Sequence, residues 1–595
     1  MINMMVDPPA GHFPSADTIS GVQTDSMIPS SGTDAFRAAR DQLLALSGDP
    51  ERAATEFRWP DVGPAFNWAR DWFDVLAEGN GTAALRIAEE DGSEASYSFD
   101  QLRRRSNRVG AWLREIGVGP GDVVMLMLDN RVELWEAMLA IMKIGAVILP
   151  TSVVLGPAEL VDRVERAGVR AVLADRDDAA KFDEVPGDYV RVLVGAGETR
   201  AGWHAFEESA HADEAPLAVA NATGDLALIY FTSGTTSLPK IVGHTHQSYP
   251  VGHLSTMYWL GVRPGDTHLV ISSPGWGKHA WSSFFAPWHV GATIFVVNYA
   301  RFDAASLVAH LDRAGVHTFC APPTVWRLLI QNKLEQKPQN LREVVSAGEP
   351  LNPEVIARIK EWWGLEIRDG YGQTETTAII ANAPGMPVRP GAMGKPLPGV
   401  RVALVNPVTG EPASEGEICL ELAEEPLNLM AGYVGGAEAT ERARSGGYFH
   451  TGDVAVADAD GYLTFIGRTD DIFKSSDYKV SPFEVESALI EHEAVTEAAV
   501  IGAPCDTRLN VTKAYVALAP GWEPDEATAL AILKHARRAL PPYMRVRRVE
   551  FFELPKTSSG KIRRVELRER EVAAHAAGQR LASEWREEDF PGIKG

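Results

Sequence analysis

Nine consecutive residues, Thr232-Ser233-Gly234-Thr235-Thr236-Ser237-Leu238-Pro239-Lys240, put five hydroxyls, a glycine and a terminal lysine into one short loop. They follow the apolar run Leu226–Phe231, which reads as a buried strand. A loop of this kind leaving a strand can aim backbone N–H and side-chain O–H groups at phosphate oxygens, with the lysine as a point charge. The spacing is not that of a Walker A loop, which needs G-x-x-x-x-G-K-[ST]. Taken alone, the segment also reads as a mobile polar turn. Other catalytic chemistries find no support. His244 and His246 stand two apart with no carboxylate or cysteine at ligand spacing, and no G-x-S-x-G elbow marks a hydrolase.

The elements that must carry this loop alternate. Between about Phe66 and Arg468, strands such as Val123–Leu128, Val169–Asp175, His268–Ser272, Thr293–Val297, His317–Ala321 and Glu343–Gly348 are separated by helical segments. Apolar runs of five or six residues between helices predict parallel strands buried on both faces, in an α/β fold of doubly wound sheets. Ligands bind beyond the C-terminal ends of such strands, where the glycine-rich turns cluster. After about Val400 two alternating runs joined by Pro, Thr and Gly predict a small β subdomain over about 400–469. Asp470 opens an α+β segment to about 575. Residues 1–33 read as a disordered or surface-wrapped tail, with order beginning near Asp34, and 576–595 as a charged tail.

Composition narrows the classes. The 595 residues include 57 basic and 80 acidic side chains, a net charge of −23, which disfavours nucleic acid or anionic lipid as partner. Three scattered cysteines make no disulfide framework and fit a reducing cytoplasm. No apolar run reaches the roughly 18 residues of a membrane span.

Six motifs occur in one order: TSGTTSLPK; SAGEPL (Ser346–Leu351); DGYGQTE (Asp369–Glu375); TGD (Thr451–Asp453); GRTDD (Gly467–Asp471); and PKTSSGKIRR (Pro555–Arg564). In this order they resemble the acyl-adenylate-forming superfamily of acyl-CoA synthetases, aryl-CoA ligases and carrier-loading adenylation domains, over about Phe66–Arg564. GHTHQSY, GWGKHAWSSFFAPW and APPTVWRLL look closest to its medium-chain acyl-CoA synthetase branch.

The resemblance implies a large N-terminal adenylation domain and a mobile C-terminal lid, with ATP, Mg²⁺ and CoA as cofactors and a small carboxylic acid as substrate. It implies that Thr232, Ser233, Gly234, Thr235, Thr236 and Lys240 hold the β- and γ-phosphates, that Glu375 holds Mg²⁺, and that Thr374 donates to the α-phosphate. Gly348, Glu349 and Pro350 would wall the adenine, within a nucleotide site that includes Asp369, Gly370, Tyr371, Gly372 and Gln373, with Tyr371 stacking on the base. Asp453 would accept from the ribose hydroxyls, and Arg468 would support the sugar. Lys561 would swing in to neutralise the carboxylate and α-phosphate, and Asp470 would be the hinge between two half-reactions. The acyl pocket would involve Trp276, Gly277, Lys278 and Trp281, with Trp326 and Ile379 as further candidates. The bulk of these tryptophans argues against a very long, straight alkyl channel.

Two departures stand out. Ser237 occupies the place of a second glycine in the phosphate loop. In Ser475-Ser476-Asp477-Tyr478-Lys479, Asp477 replaces the glycine that lines the pantetheine path in relatives, and Lys479 replaces an arginine, keeping the charge without the bidentate fork. Thioester formation with CoA is the leading expectation. Loading of an acyl carrier protein, or a nucleotide-binding regulator that has lost catalysis, are the alternatives. A homodimer is left open.

Overall fold

The computed structural model describes residues 31–232, 239–349, 351–475, 478–505, 507–556 and 562–593. Ser233, Gly234, Thr235, Thr236, Pro350, Asp477 and Lys561 therefore lie outside the described residues. The large domain is built on two sheets. In the eight-stranded one, six parallel strands run in the order Leu226–Phe231, Val147–Pro150, Val123–Met127, Val169–Asp175, Val190–Val194 and His204–Ala205. Ile241–Thr245 and Gly432–Tyr433 extend it antiparallel beside Leu226–Phe231.

The nine-stranded sheet has six parallel strands at its centre: Arg368–Gly372, Glu343–Ala347, Thr318–Ala321, Thr267–Val270, Thr293–Val297 and Ala83–Ala88. Its antiparallel margins are Glu94–Ser98 on one side and Ala378–Ala381 with Lys395–Pro396 on the other. Every residue of Thr318–Ala321 is buried, as continuous apolar runs require in a sheet covered on both faces.

Local chemistry sets the connecting helices. Phe99–Glu115 begins with a capping box in which Ser98 and Gln101 satisfy each other's backbone N–H. Pro157–Ala167 has proline at its first turn and ends on Gly168 at φ +60°. Asn352 caps Pro353–Trp363 by accepting from the Glu354 N–H.

A four-stranded antiparallel sheet follows, in the order Val402–Val405, Glu415–Glu421, Tyr448–Ala457 and Leu463–Arg468. The C-terminal region has a hairpin of Phe473–Ser475 with Tyr478–Val480. Its sheet comprises Val495–Cys505, Leu509–Leu518, Arg548–Phe551 and Glu584–Arg586, with helices Pro482–Ile490, Glu526–Ala539 and Arg564–Ala576.

Two boundaries differ from expectation. The first helix starts at Ser31, three residues before Asp34, and buries Phe36 and Leu43. The stretch 576–595, expected as a charged tail, supplies the strand Glu584–Arg586 and buries Phe590 and Ile593 in the C-terminal core. Its charge is consumed internally. Lys513, fully buried, donates to Glu550 and Glu584 at 2.7 Å each and also to Glu571. A buried ammonium must be paired, and one of its partners comes from this last strand.

Candidate active site

The strand Leu226–Phe231 leads to Thr232, whose N–H donates to the Lys240 carbonyl at 2.9 Å. Lys240 Nζ lies 4.5 Å from the centre of the Tyr433 ring. The Tyr433 hydroxyl donates to Glu375 Oε1 at 3.0 Å, and the Met430 N–H holds the Glu375 carbonyl at 2.8 Å. Burial, and then the nearby Glu375 charge, raise the Tyr433 phenol above its ordinary pKa. It therefore acts as a donor.

Thr374 is fixed from behind. His244 Nε2 donates to the Thr374 carbonyl at 2.7 Å, and its Nδ1 faces Ser248 Oγ at 3.0 Å. A carbonyl can only accept, so Nε2 carries the proton. Burial lowers this imidazole to a pKa of about 4 and keeps it neutral.

The strand Arg368–Gly372 passes close to its neighbours, and its glycines are steric requirements. A Cβ on Gly370 would sit 2.3 Å from the Trp259 ring, and one on Gly372 would sit 2.2 Å from the Thr377 carbonyl oxygen. At the end of the adjacent strand Gly348 adopts φ +103°, a region that favours glycine. Lys278 donates to the Ala347 carbonyl beside it. Asp369 is buried between these strands, and desolvation pushes its carboxyl up to about 8, opposed by the Gly370 and Leu351 N–H groups and by Lys278.

Asp453 is the meeting point. Its Oδ2 accepts from the Tyr371 hydroxyl at 2.6 Å and from Gln373 Nε2 at 2.5 Å, and its Oδ1 lies 3.4 Å from Arg468 Nη1. Arg468 also reaches Asp470 at 3.3 Å. Strand pairing sets Asp453 directly opposite Arg468.

These groups line a cavity of about 770 Å³ whose far wall includes Glu486 and Ile562–Val565 of the C-terminal region. A second cavity, of about 880 Å³, adjoins it and shares Trp276, Gly277, Gly348, Glu349 and Gly370–Thr374. Trp276, Gly277, Lys278 and Trp281 all line this second space.

Three expected residues are not brought there. Trp326 is fully buried in the core, packed against Phe319 and Trp363, with its indole N–H on the Ala321 carbonyl. Ile379 is fully buried in the main core. Each fills a sheet-helix interface instead of a pocket, the commoner fate of large apolar side chains. Lys479 sits across the hairpin from Lys474 and lines neither cavity. Conversely, Tyr433 carries no motif signal, and His244 lies in the GHTHQSY segment with nothing in its spacing to assign it to Thr374.

Comparison with known proteins places this architecture. Residues 76–434 match the model of the AMP-binding enzyme family, and 484–561 that of the AMP-binding enzyme C-terminal domain. The chain belongs to the AMP-binding enzyme family. It is 43% identical over 525 residues to 4-hydroxybutyrate–CoA ligase 1 of Metallosphaera sedula, covering 86% of this chain and 92% of that one. It is 37% identical to the mitochondrial acyl-coenzyme A synthetase ACSM3 of Mus musculus, covering 86% and 91%. The solved anthranilate CoA ligase AuaEII in complex with anthranoyl-AMP superposes with a TM-score of 0.78 at 29% identity, covering 88% of this chain and 99% of that one.

The expected relationship to the medium-chain branch is thus borne out, and the chain is an AMP-forming acid:CoA ligase that works through an acyl-adenylate. Among the described residues no helix is long and apolar enough to cross a membrane.

Proposed function

We propose that the cavity around Asp453 holds ATP and the adjoining one a carboxylic acid of medium size, so that the two meet at Thr374, Gly348 and Lys278. The convergence of Tyr371, Gln373 and Arg468 on Asp453, beside a second space lined by tryptophans, carries this reading. Asp453 accepts from the ribose, Arg468 steadies the same sugar, and Tyr371 with Gly348, Glu349 and Pro350 encloses the adenine. The loop 232–240 and Lys240 cradle the outer phosphates. Glu375 is a hard oxygen donor of the kind Mg²⁺ takes, and its second oxygen is free of the Tyr433 bond. Bound there, Mg²⁺ would supply charge neutralisation at the phosphates.

A substrate carboxylate oxygen attacks the α-phosphorus; the bond to the β-phosphate oxygen breaks and pyrophosphate leaves. Two anions must approach, so the site needs oriented donors more than a base. Thr374, held by His244, and Lys561 serve that need. In the second half-reaction the CoA sulfur bonds to the acyl carbon, AMP departs and the thiol proton goes to solvent. Rotation about Asp470 exchanges the two arrangements.

The acid pocket is not uniformly apolar. Beyond Trp276 and Trp281 it reaches Asn130, Asn298 and Asp129, groups that accept hydrogen bonds. This favours an acid with a hydroxyl or amine on its far end, or a single ring bearing one, over a bare hydrocarbon terminus. The acids named for two relatives, 4-hydroxybutyrate and anthranilate, have that character. Three unpaired thiols suit a reducing cytoplasm.

Pyrophosphate release across hydroxy, amino, aryl and plain medium-chain acids, with and without CoA and with acyl-CoA followed by mass, tests the reading. Highest kcat/KM for a plain alkyl acid would refute the polar-end assignment. Asp477 favours a second reading for the acceptor, a carrier protein thiol. Asp477→Gly should then speed CoA transfer and leave adenylation unchanged, and an unaltered transfer rate removes that reading.

A further inference from the structure

Three side chains with metal-ligating atoms converge on one face of the small antiparallel sheet, beside the nucleotide cavity but outside the groups assigned above. Glu417 and Cys419 stand two apart on Glu415–Glu421 and so point to the same side. His450 is paired directly opposite Cys419 on Tyr448–Ala457. Cys419 Sγ lies 3.5 Å from His450 Nδ1, and that nitrogen lies 2.8 Å from Glu417 Oε2. One oxygen, one sulfur and one nitrogen all fall within 4.8 Å of each other.

We infer that Glu417, Cys419 and His450 form a binding site for a borderline transition-metal ion, with Zn²⁺ as the natural occupant. With bonds of about 2.0–2.1 Å to nitrogen or oxygen and about 2.3 Å to sulfur, tetrahedral zinc separates its ligand atoms by roughly 3.3–3.6 Å. The sulfur–nitrogen spacing already has this value, and the nitrogen–oxygen spacing needs to open by about half an ångström. A thiolate, an imidazole and a carboxylate together select d-block ions over Mg²⁺ or Ca²⁺. This separates the site from Glu375, which offers oxygen alone.

The sheet also preorganises the ligands. The other carboxylate oxygen, Glu417 Oε1, accepts from the Gly452 N–H at 2.7 Å, and such an outer contact orients a metal-binding carboxylate. The pairing register shifts between Glu417 and Cys419, which stand opposite Val454 and His450, so Thr451–Gly452–Asp453 form a bulge in the partner strand. The site is therefore built on the bulge that presents Asp453. Glu417 and His450 both line the nucleotide cavity, so an ion held by three protein ligands keeps its fourth position toward that space.

On binding, the proton on Nδ1 moves to Nε2 through solvent, and the thiol gives its proton to solvent. Without metal, burial and then the Glu417 charge hold that thiol up to about 12, so Cys419 is no free nucleophile.

The test uses the full-length, metal-stripped protein titrated with Co²⁺ as a spectroscopic probe, in the absence of nucleotide. One equivalent should produce a thiolate-to-cobalt charge-transfer band that Zn²⁺ abolishes. Cys419→Ser should remove the band and His450→Gln should weaken Co²⁺ binding at least tenfold, whereas Cys505→Ser should change neither. Absence of the band in the unaltered protein, or its survival in Cys419→Ser, overturns the assignment. Should Cys419→Ser fail to fold, His450→Gln decides: its band must appear only at Co²⁺ concentrations at least tenfold higher, and an unchanged Co²⁺ affinity counts against the site.

Discussion

The Tyr433 hydroxyl donates to Glu375 Oε1 at 3.0 Å while its ring lies 4.5 Å from Lys240 Nζ. One side chain thus ties the candidate metal-binding carboxylate to Lys240, the lysine proposed for the outer phosphates. A hydrogen bond to a charged group is worth about 1.5–3 kcal/mol. Tyr433→Phe should therefore lower kcat/KM for ATP by roughly tenfold and raise the Mg²⁺ concentration needed for half-maximal rate. Steady-state pyrophosphate release at varied Mg²⁺ reads both. A drop in thermal midpoint with no change in Mg²⁺ dependence would make Tyr433 merely structural.

Asp453 draws together three partners from two strands and a turn, so its removal has a larger effect. Asp453→Ala deletes the acceptor proposed for the ribose and leaves Arg468 with Asp470 as its ion-pair partner among the described residues. Two lost charge-assisted bonds correspond to about 3–5 kcal/mol. The KM for ATP should rise by two orders of magnitude or more, with the KM for the acid nearly unchanged. Calorimetric titration with AMP checks the same loss without turnover. Unaltered AMP affinity would remove Asp453 from the nucleotide site.

TSGTTSLPK and the strand beneath it were legible because the motif follows the apolar run Leu226–Phe231, whereas DGYGQTE and TGD begin inside their strands, Arg368–Gly372 and Tyr448–Ala457, and stand out only by their order in the chain. Asp453, Tyr371 and Arg468 could be named from their order in the chain, but their shared hydrogen bonds depend on pairing between Tyr448–Ala457 and Leu463–Arg468. Tyr433 was invisible. It enters from a two-residue edge strand whose sequence, AGYVGG, has no period. Trp326 and Ile379 misled for the opposite reason: apolar side chains next to a motif look the same whether they face a ligand or a helix. The C-terminal strand was hidden by its charges, since nothing local reveals that Glu584 pairs with Lys513, 71 residues away.

Asp369 gives a pH signature. Its carboxyl is pushed up to about 8 in the folded protein by desolvation, against about 3.9 in an unfolded chain. Between these values the folded state keeps a proton that the unfolded state has lost. Stability therefore falls as pH rises through this window, with a slope of up to about 1.4 kcal/mol per pH unit from this group. Asp369→Asn holds the neutral form at every pH. The difference in unfolding free energy, variant minus unaltered protein, should grow from pH 5 to pH 8 and then level off. Denaturant titrations of the ligand-free protein across that range measure it, and a flat difference would show that Asp369 is ionised throughout.

Lys561 tests the two half-reactions separately. It lies in the motif PKTSSGKIRR. The residues that follow it, Ile562–Val565, line the cavity around Asp453. If the ammonium neutralises the approach of carboxylate to α-phosphate, Lys561→Ala should lower pyrophosphate release by at least about two orders of magnitude, the scale of a lost electrostatic donor in a transition state. Thioester formation from supplied acyl-AMP does not bring those two anions together, so it should keep most of its rate. Single-turnover assays started from acid plus ATP, and separately from synthetic acyl-AMP plus CoA, give the two rates independently. Equal loss in both would assign Lys561 to binding the adenylate itself, and equal retention would remove it from the chemistry.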